Sequence, residues 1–274
     1  MIVDRNEHFL ARVRLTVQAD GVSFEELLVE GESVRVEGWD FSWFKGRASE
    51  QRPSWGYAVM LAERIGRASS VLDVQTGGGE VFDWALNRAP RPPALAAATE
   101  SWAPNAAIAR DRLAAHSAVV VRAIDDGPLP FRPGAFDLVA SRHPVVTMWG
   151  EVARVLRLGG VFFSQQVGPG SNRELYEFLM GPQPASSKRD PSVAVREARQ
   201  AGLQIVDLRR ETLETVFFDL AAVVHFLRKV PWTVPGFTTE KYRDRLADLH
   251  RQIEQDGRFV AHAQRFLIEA KRAT

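Results

Sequence analysis

The residues best placed to do chemistry are carboxylates and a histidine that close apolar runs. The clearest case is Val71-Leu72-Asp73-Val74-Gln75-Thr76-Gly77-Gly78-Gly79-Glu80. An apolar run, a glycine cluster and then a helical pattern make a strand–loop–helix turn that lets a ligand approach the backbone. Asp73 near the strand end disfavours a phosphate cradle, which wants bare N–H groups and a lysine. No Gly-Lys-Ser or Gly-Lys-Thr follows, so a P-loop is excluded. The loop suits a nucleoside-type ligand whose positive end meets a carboxylate. Further acids follow at Glu100 and at Asp125–Asp126, and Ser141-Arg142-His143 closes another apolar run. A histidine at a strand end can act as a general base near neutral pH, or simply hydrogen-bond the backbone or the ligand. The histidines are scattered with no pair at i,i+4, and the chain has no cysteine, so no metal-ligand spacing and no disulfide is expected.

These groups need strands and helices to hold them. The pattern predicts a helix over Pro53–Arg67, with Tyr57, Leu61 and Ile65 on one face. It then predicts a strand at Val71–Val74, a helix at Gly79–Arg88 and a strand at Ala94–Thr99 ending at Glu100. A helix capped near Pro104, a strand at Ser117–Arg122 and a strand at Phe136–Ser141 follow. Val146–Leu158 reads as a helix closed by Gly159–Gly160, and Val161–Val167 as a strand. Ser192–Ala201 reads as a helix, Leu203–Thr212 as a strand and Phe217–Leu227 as an apolar helix. Thr239 is expected to cap a helix reaching Gln255, and Ala263–Lys271 to close the sheet. Ahead of all this, His8–Val13 reads as a short helix, and Ser23 as the cap of another through Leu28.

The spacing of these motifs resembles class I S-adenosylmethionine (SAM)-dependent methyltransferases. The Asp73–Glu80 stretch is similar to the first motif of that family. Leu129-Pro130-Phe131 with Gly134-Ala135-Phe136-Asp137-Leu138-Val139 resembles its "LPF…GSFDLV" segment. Glu151-Val152-Ala153-Arg154-Val155-Leu156-Arg157-Leu158-Gly159-Gly160 resembles its turn into the fifth strand. The similarity spans roughly residues 55 to 167. It implies a doubly wound, Rossmann-like α/β sheet of seven strands with an antiparallel closing strand. It also implies a SAM site, yielding S-adenosylhomocysteine (SAH). Asp73, Gln75, Thr76, Gly77 and Gly79 would meet the amino-acid tail, Glu100 and Ser101 the ribose, and Asp125 or Asp126 the adenine, with Ala123 and Ile124 flanking the ring. Ser141 and Arg142 would complete the cofactor side, and Arg52 and Tyr57 would approach the tail. His143 falls where methyl donor and acceptor should meet. One position departs from the family: Gln75 stands where a glycine is usual, and its side chain must crowd the site or hydrogen-bond into it.

Two regions could contact an acceptor. Residues 1–50 read as an accessory segment whose Trp39-Asp40-Phe41-Ser42-Trp43-Phe44 run, with Trp55 and Tyr57, either packs on the sheet or forms an aromatic lid. An insertion at about 213–258 reads as a substrate cap, with Phe218, His225, Trp232 and Phe237 as acceptor-side candidates beside Trp43. Gln165 and Gln166 either line that pocket or satisfy edge hydrogen bonds.

Composition sets the outer limits. The 274 residues are 45% hydrophobic and 25% charged, which suits a soluble globular domain with an appended lid. Lysine and arginine total 35 against 34 acids, a net charge of +1, which argues against nucleic acid as partner. No run of about 18 apolar residues and no signal-like start is present, so the expected setting is cytoplasmic and free of the membrane. The expected partner is a small, largely apolar acceptor, with a homodimer an open option. RNA methylation and a repurposed SAM-binding role stand as the alternatives.

Overall fold

The computed structural model describes residues 22–38, 40–184 and 188–273. The expected helix at His8–Val13 and the ring of Trp39 lie outside the described residues. The sheet comprises β1 (Ala48–Glu50), β2 (Ser70–Asp73), β3 (Leu95–Glu100), β4 (Val119–Arg122), β5 (Phe136–Arg142), β6 (Leu156–Val167), β7 (Leu203–Phe217) and β8 (Phe259–Arg272), in spatial order β1-β7-β8-β6-β5-β2-β3-β4. Strands β6, β5, β2, β3 and β4 run parallel, while β8 is antiparallel to both β6 and β7. The order reverses beside β2, so a crevice opens at the carboxyl ends of β2 and β5. This is the doubly wound class the motifs imply. The strand count is eight rather than seven because Ala48–Glu50 pairs antiparallel with the far end of β7.

Helices cover both faces. On one face α2 (Tyr57–Ile65), α3 (Glu80–Arg88) and α4 (Ala103–Leu113) bury Tyr57, Leu61, Ile65, Phe82 and Leu113 against Val71, Ala98 and Phe163. The 3.6-residue spacing of Tyr57, Leu61 and Ile65 puts all three on the core side, each worth ~1.5–3 kcal/mol when fully buried. On the other face α5 (Trp149–Val155) and α7 (Pro191–Gln200) pack Trp149, Val152 and Ala198 on Phe162 and Phe266. A third cluster forms a lobe of α1 (Phe24–Ser33), α6 (Arg173–Met180), α8 (Leu220–Lys229) and α9 (Arg243–Asp256). The N-terminal segment therefore packs with the insertion. Gly31 sets how closely: a Cβ there would meet Ala221 O at 2.7 Å and the Val224 Cβ at 2.8 Å.

Several boundaries differ from the sequence reading for local reasons. Helix α5 stops at Val155, and Gly159–Gly160 serve a strand irregularity instead of a helix cap. The β5–β6 register shifts between Phe136 and Leu138, Gly159 takes φ +75, and a Cβ on Gly160 would meet Arg157 O at 2.9 Å. Strand β7 runs on to Phe217, because β8 offers an uninterrupted ladder as far as Phe217↔Phe259. The insertion thus spans residues 218–258, and Asp219 caps α8 through the Ala222 N–H at 2.8 Å. Thr239 caps no helix: α9 begins at Arg243, and the Thr239 hydroxyl bonds Glu32 of α1. Ser23 does cap α1, in a reciprocal box with Glu26, but that helix reaches Ser33 rather than Leu28.

Candidate functional site

The carboxyl ends of β2, β3, β4 and β5 bring most of the sequence-nominated cofactor residues to one crevice. Asp73 ends β2 and is buried; its carboxylate accepts the Thr76 hydroxyl at 2.6 Å. Burial pushes its pKa up to about 7, with Glu100 adding repulsion, while Thr76 and the Arg142 guanidinium pull it down. Glu100, at the end of β3, is buried too. Its two oxygens accept the Gly77 N–H at 2.8 Å and the Trp102 N–H at 2.9 Å. Burial raises its pKa, the two backbone donors oppose this, and Asp125 adds repulsion. Asp125 accepts from the Ser101 hydroxyl at 3.0 Å, which links the β3 and β4 ends. Burial raises Asp125 as well. Asp126 is exposed, so Asp125 is the acid that faces the crevice.

The glycines hold the loop close to these acids. Gly77 and Gly79 sit at φ +63 and +79, a backbone state that costs a side chain roughly 1–2 kcal/mol. A Cβ on Gly79 would press Leu113 of α4 at 3.2 Å. Arg112 of α4 ties the loop from outside, bonding Gly78 O and pairing with Glu80 at 2.5 Å. Beyond β4, Ala123 and Ile124 line a shallow cleft together with Val74, Gln75, Leu129, Pro144 and Val146. Ile124 is 67% exposed there. Gly127 makes room for it, since a Cβ at that position would meet the Ile124 side chain at 2.5 Å.

Gln75 adopts φ +57, the conformation a glycine would take there without strain. Its side chain turns to the loop after β5: Nε2 donates to Val146 O at 2.8 Å, and Oε1 accepts the Val145 N–H at 2.6 Å. Of the two outcomes open in the sequence, the structure thus has Gln75 hydrogen-bonding across the site. Ser141, at the end of β5, donates to Val74 O at 2.8 Å and fixes β5 against the same loop.

His143 also has positive φ, +55, and belongs to a buried polar chain. The Trp55 indole N–H donates to Gln165 Oε1 at 2.7 Å, and Gln165 Nε2 lies 2.8 Å from His143 Nε2. An indole can only donate, so the Gln165 oxygen must face Trp55 and its amide N–H must point at His143. The imidazole is therefore neutral and carries its proton on Nδ1. Burial holds its pKa well below the ordinary histidine range, and Arg142, Arg265 and Arg189 reinforce this. Tyr57 stacks on Phe163 with ring centres 5.0 Å apart, and its buried hydroxyl has no hydrogen-bond partner. Burial, then the Asp73 charge, raises its pKa.

The acceptor-side candidates divide. Tyr57 is buried at the start of α2 with its ring on Phe163, and His143 directly follows the carboxyl end of β5. Trp43 and His225 lie elsewhere: they pack together at 5.0 Å in the interior of the lobe, with Phe44 stacked on the imidazole at 4.9 Å. Burial pushes the His225 pKa down to about 4, beside Lys229 and Arg228, and its Nδ1 is unpartnered. Phe218 and Trp232 are exposed on the insertion, and Phe237 stacks on Tyr242. Gln166 donates to the Thr147 hydroxyl at 3.1 Å. Arg189 and Arg265, both near His143, were not singled out in the sequence. The first sits in a turn-rich loop and the second in an apolar strand, and neither setting signals a site. Among the described residues no group of acids and histidines could hold a metal ion, and no helix is long and apolar enough to cross a membrane.

Residues 72–164 match the family model described as a methyltransferase domain. The fold is similar to that of a candidate methyltransferase from Bacillus halodurans C-125, with a TM-score of 0.55 and 19% identity over 79% of this chain and 99% of that one. It is also similar to the YcgJ protein of Bacillus subtilis, with a TM-score of 0.53 and 12% identity over 79% and 98% of the two chains. A candidate sarcosine dimethylglycine methyltransferase from Galdieria sulphuraria gives 0.51 and 12% over 91% and 98%. At such identities the structural likeness is one of fold. No curated protein sequence matches the chain. The family match runs from inside β2 to inside β6 and contains the acids at the ends of β2, β3 and β4. Residues 72–164 thus match a methyltransferase domain, and the fold around them is similar to that of the two candidate methyltransferases.

Proposed function

We propose that this protein transfers a methyl group from SAM to a small acceptor with a largely apolar body. The observation that carries the reading is the alignment of three acids, Asp73, Glu100 and Asp125, at the carboxyl ends of adjacent parallel strands beside a glycine loop. The residues present fit such a ligand. Glu100 has lone pairs left for two ribose hydroxyls after its backbone bonds. Asp125 has an acceptor for an exocyclic amine, and the exposed Ile124 offers a flat apolar contact. Asp73 and the unpartnered Tyr57 hydroxyl sit where the tail of the ligand would lie, with Gln75, Thr76, Ser141 and Arg142 around them. When bound, SAM supplies a methyl group on a positively charged sulfur.

The chain's own task is then to orient the acceptor and keep water out, since methyl transfer needs mainly in-line positioning. In this reading His143 positions the acceptor instead of deprotonating it. Its Nε2 lone pair is engaged by Gln165, its Nδ1–H is a donor, and its surroundings disfavour a proton gained. Gln75 favours a second reading, a SAM-binding protein put to another use, because its side chain occupies the loop where this family has none. The neutral balance of charge disfavours RNA. Glu100→Ala tests the first reading: SAM affinity should fall by more than about tenfold, as charge-assisted bonds are lost. Unchanged affinity would remove Glu100 from the site.

A further inference from the structure

Strand β7 has a neighbour along only one side for most of its length. It pairs with β8 from Leu203 to Phe217, but β1 covers its other side only at Thr215–Phe217. The direction of its free groups follows from the contacts at its covered end. Glu214 accepts the Gln51 N–H at 2.9 Å and donates its own N–H to Gln51 Oε1 at 3.0 Å, so both groups turn away from β8. Opposite Glu214, His262 turns its N–H away from β7, to Glu174 at 3.0 Å. Backbone direction alternates along an antiparallel strand, so Thr212, Arg210 and Leu208 also turn their N–H and C=O outward. The register shift between Ile205 and Asp207 ends this regular run. Among the described residues no backbone group meets these outward donors and acceptors. The same edge borders a shallow groove against α7, lined by Ser192, Val195, Arg196, Arg199, Leu208 and Arg210. The α7 residues share one helical face, and Leu208 and Arg210 share one strand face. Arg196, Arg199 and Arg210 are exposed, and none forms an ion pair or side-chain hydrogen bond among the described residues. Of the acids nearby, Asp190 caps α7 through the Ser192 N–H at 2.7 Å, and Glu197 lies off this helical face. Unmet arginines therefore run beside unmet backbone groups.

We propose that the free edge of β7 binds an extended acidic segment of another protein, which joins the sheet as a further strand. Main-chain bonds to Leu208, Arg210 and Thr212 hold the segment, and its side chains select it. Every second side chain of an added strand falls on the α7 face, so Asp or Glu at alternate positions meets the arginines. A second copy of this chain fits poorly, since two-fold pairing brings its own arginines into the same groove. The proposal is independent of the methyltransferase reading.

The test titrates the full chain into a labelled peptide, Thr-Glu-Val-Glu-Val-Glu-Thr with blocked ends, and follows fluorescence anisotropy. One control carries Lys in place of each Glu. A second keeps the charge but is N-methylated at each Glu, which removes the donors that face β7. The parent peptide should bind saturably, and each control at least about tenfold more weakly. Binding should slow hydrogen exchange at the Leu208, Arg210 and Thr212 amides. Arg209 and Glu211, already turned to β8, should change little. Joint Arg196→Gln and Arg199→Gln replacement should weaken binding at least about tenfold with the melting temperature unchanged, because both side chains are exposed. Arg251→Gln, on α9, should leave binding as in the wild type. An N-methylated peptide that binds as well as its parent would reduce the site to loose charge attraction and overturn the proposal. So would free protein that sediments as a dimer with the outward amides already protected, which would assign the edge to a second copy.

Discussion

Gln75 and His143 are both non-glycine residues at positive φ, and they follow adjacent strands, β2 and β5. Strain of this kind persists only where surrounding bonds over-determine it. For Gln75 the bonds are visible, at Val145 and Val146. Gln75→Ala keeps the strain and loses both bonds, so it should cost about 1–3 kcal/mol in denaturant unfolding. Gln75→Gly loses the same bonds but relieves the backbone and should recover roughly 1 kcal/mol relative to alanine. Equal stabilities would mean that Gln75 is not strained. Asp73 gives a prediction in pH. Its folded pKa of about 7 lies above the ordinary 3.8, so the protonated form favours the fold. Stability from this group is complete below about pH 4 and is lost as pH rises through about 7. Asp73→Asn should flatten that part of the profile, and urea titrations of the two proteins across this range check it. Parallel profiles would contradict the assignment. The sequence made the types and order of the acids legible because each closes an apolar run. It hid the Trp55–Gln165–His143 chain, which depends on three side chains from distant segments meeting at one edge.

At the scale of elements, the β–α units from β2 to β6 were legible because their apolar periods are short and punctuated by glycine and proline. The lobe was legible only as helices. Its packing of α1 on α8 depends on a close approach that no periodicity records, and that approach turns on Gly31. Trp43 and His225 looked like pocket residues in the sequence. They serve instead as the aromatic interior of this lobe, where a neutral imidazole stacks as a flat ring. The lobe is also tied to the sheet: Lys229 of α8 donates to Gly38 O at 2.8 Å, and the Gly38 N–H donates to Asn105 of α4 at 3.1 Å. Asn105 lies just after Glu100 in the first turn of α4, so the lobe reaches the Glu100 end of the crevice. Gly31→Val should therefore separate α1 from α8, at about 1–3 kcal/mol for the overpacking. Hydrogen exchange should rise in residues 24–33 and 220–229 while β2 and β5 stay protected. Uniform loosening of the sheet would show the lobe is not a separate unit of stability.

For the whole molecule, the near-neutral charge and the acids of the crevice fit a compact, partly cationic ligand such as SAM better than a polyanion. The crevice is built almost wholly from residues inside the methyltransferase match, while the lobe and β1 come from outside it. The most direct test is a calorimetric titration of the full chain with SAM and with SAH, at about pH 6 and about pH 8. Both should bind saturably with micromolar affinity. Both should gain several-fold at the higher pH, as Asp73 ionises toward the ammonium of the amino-acid tail that the two ligands share. Failure of both ligands to bind at either pH would contradict the cofactor site itself.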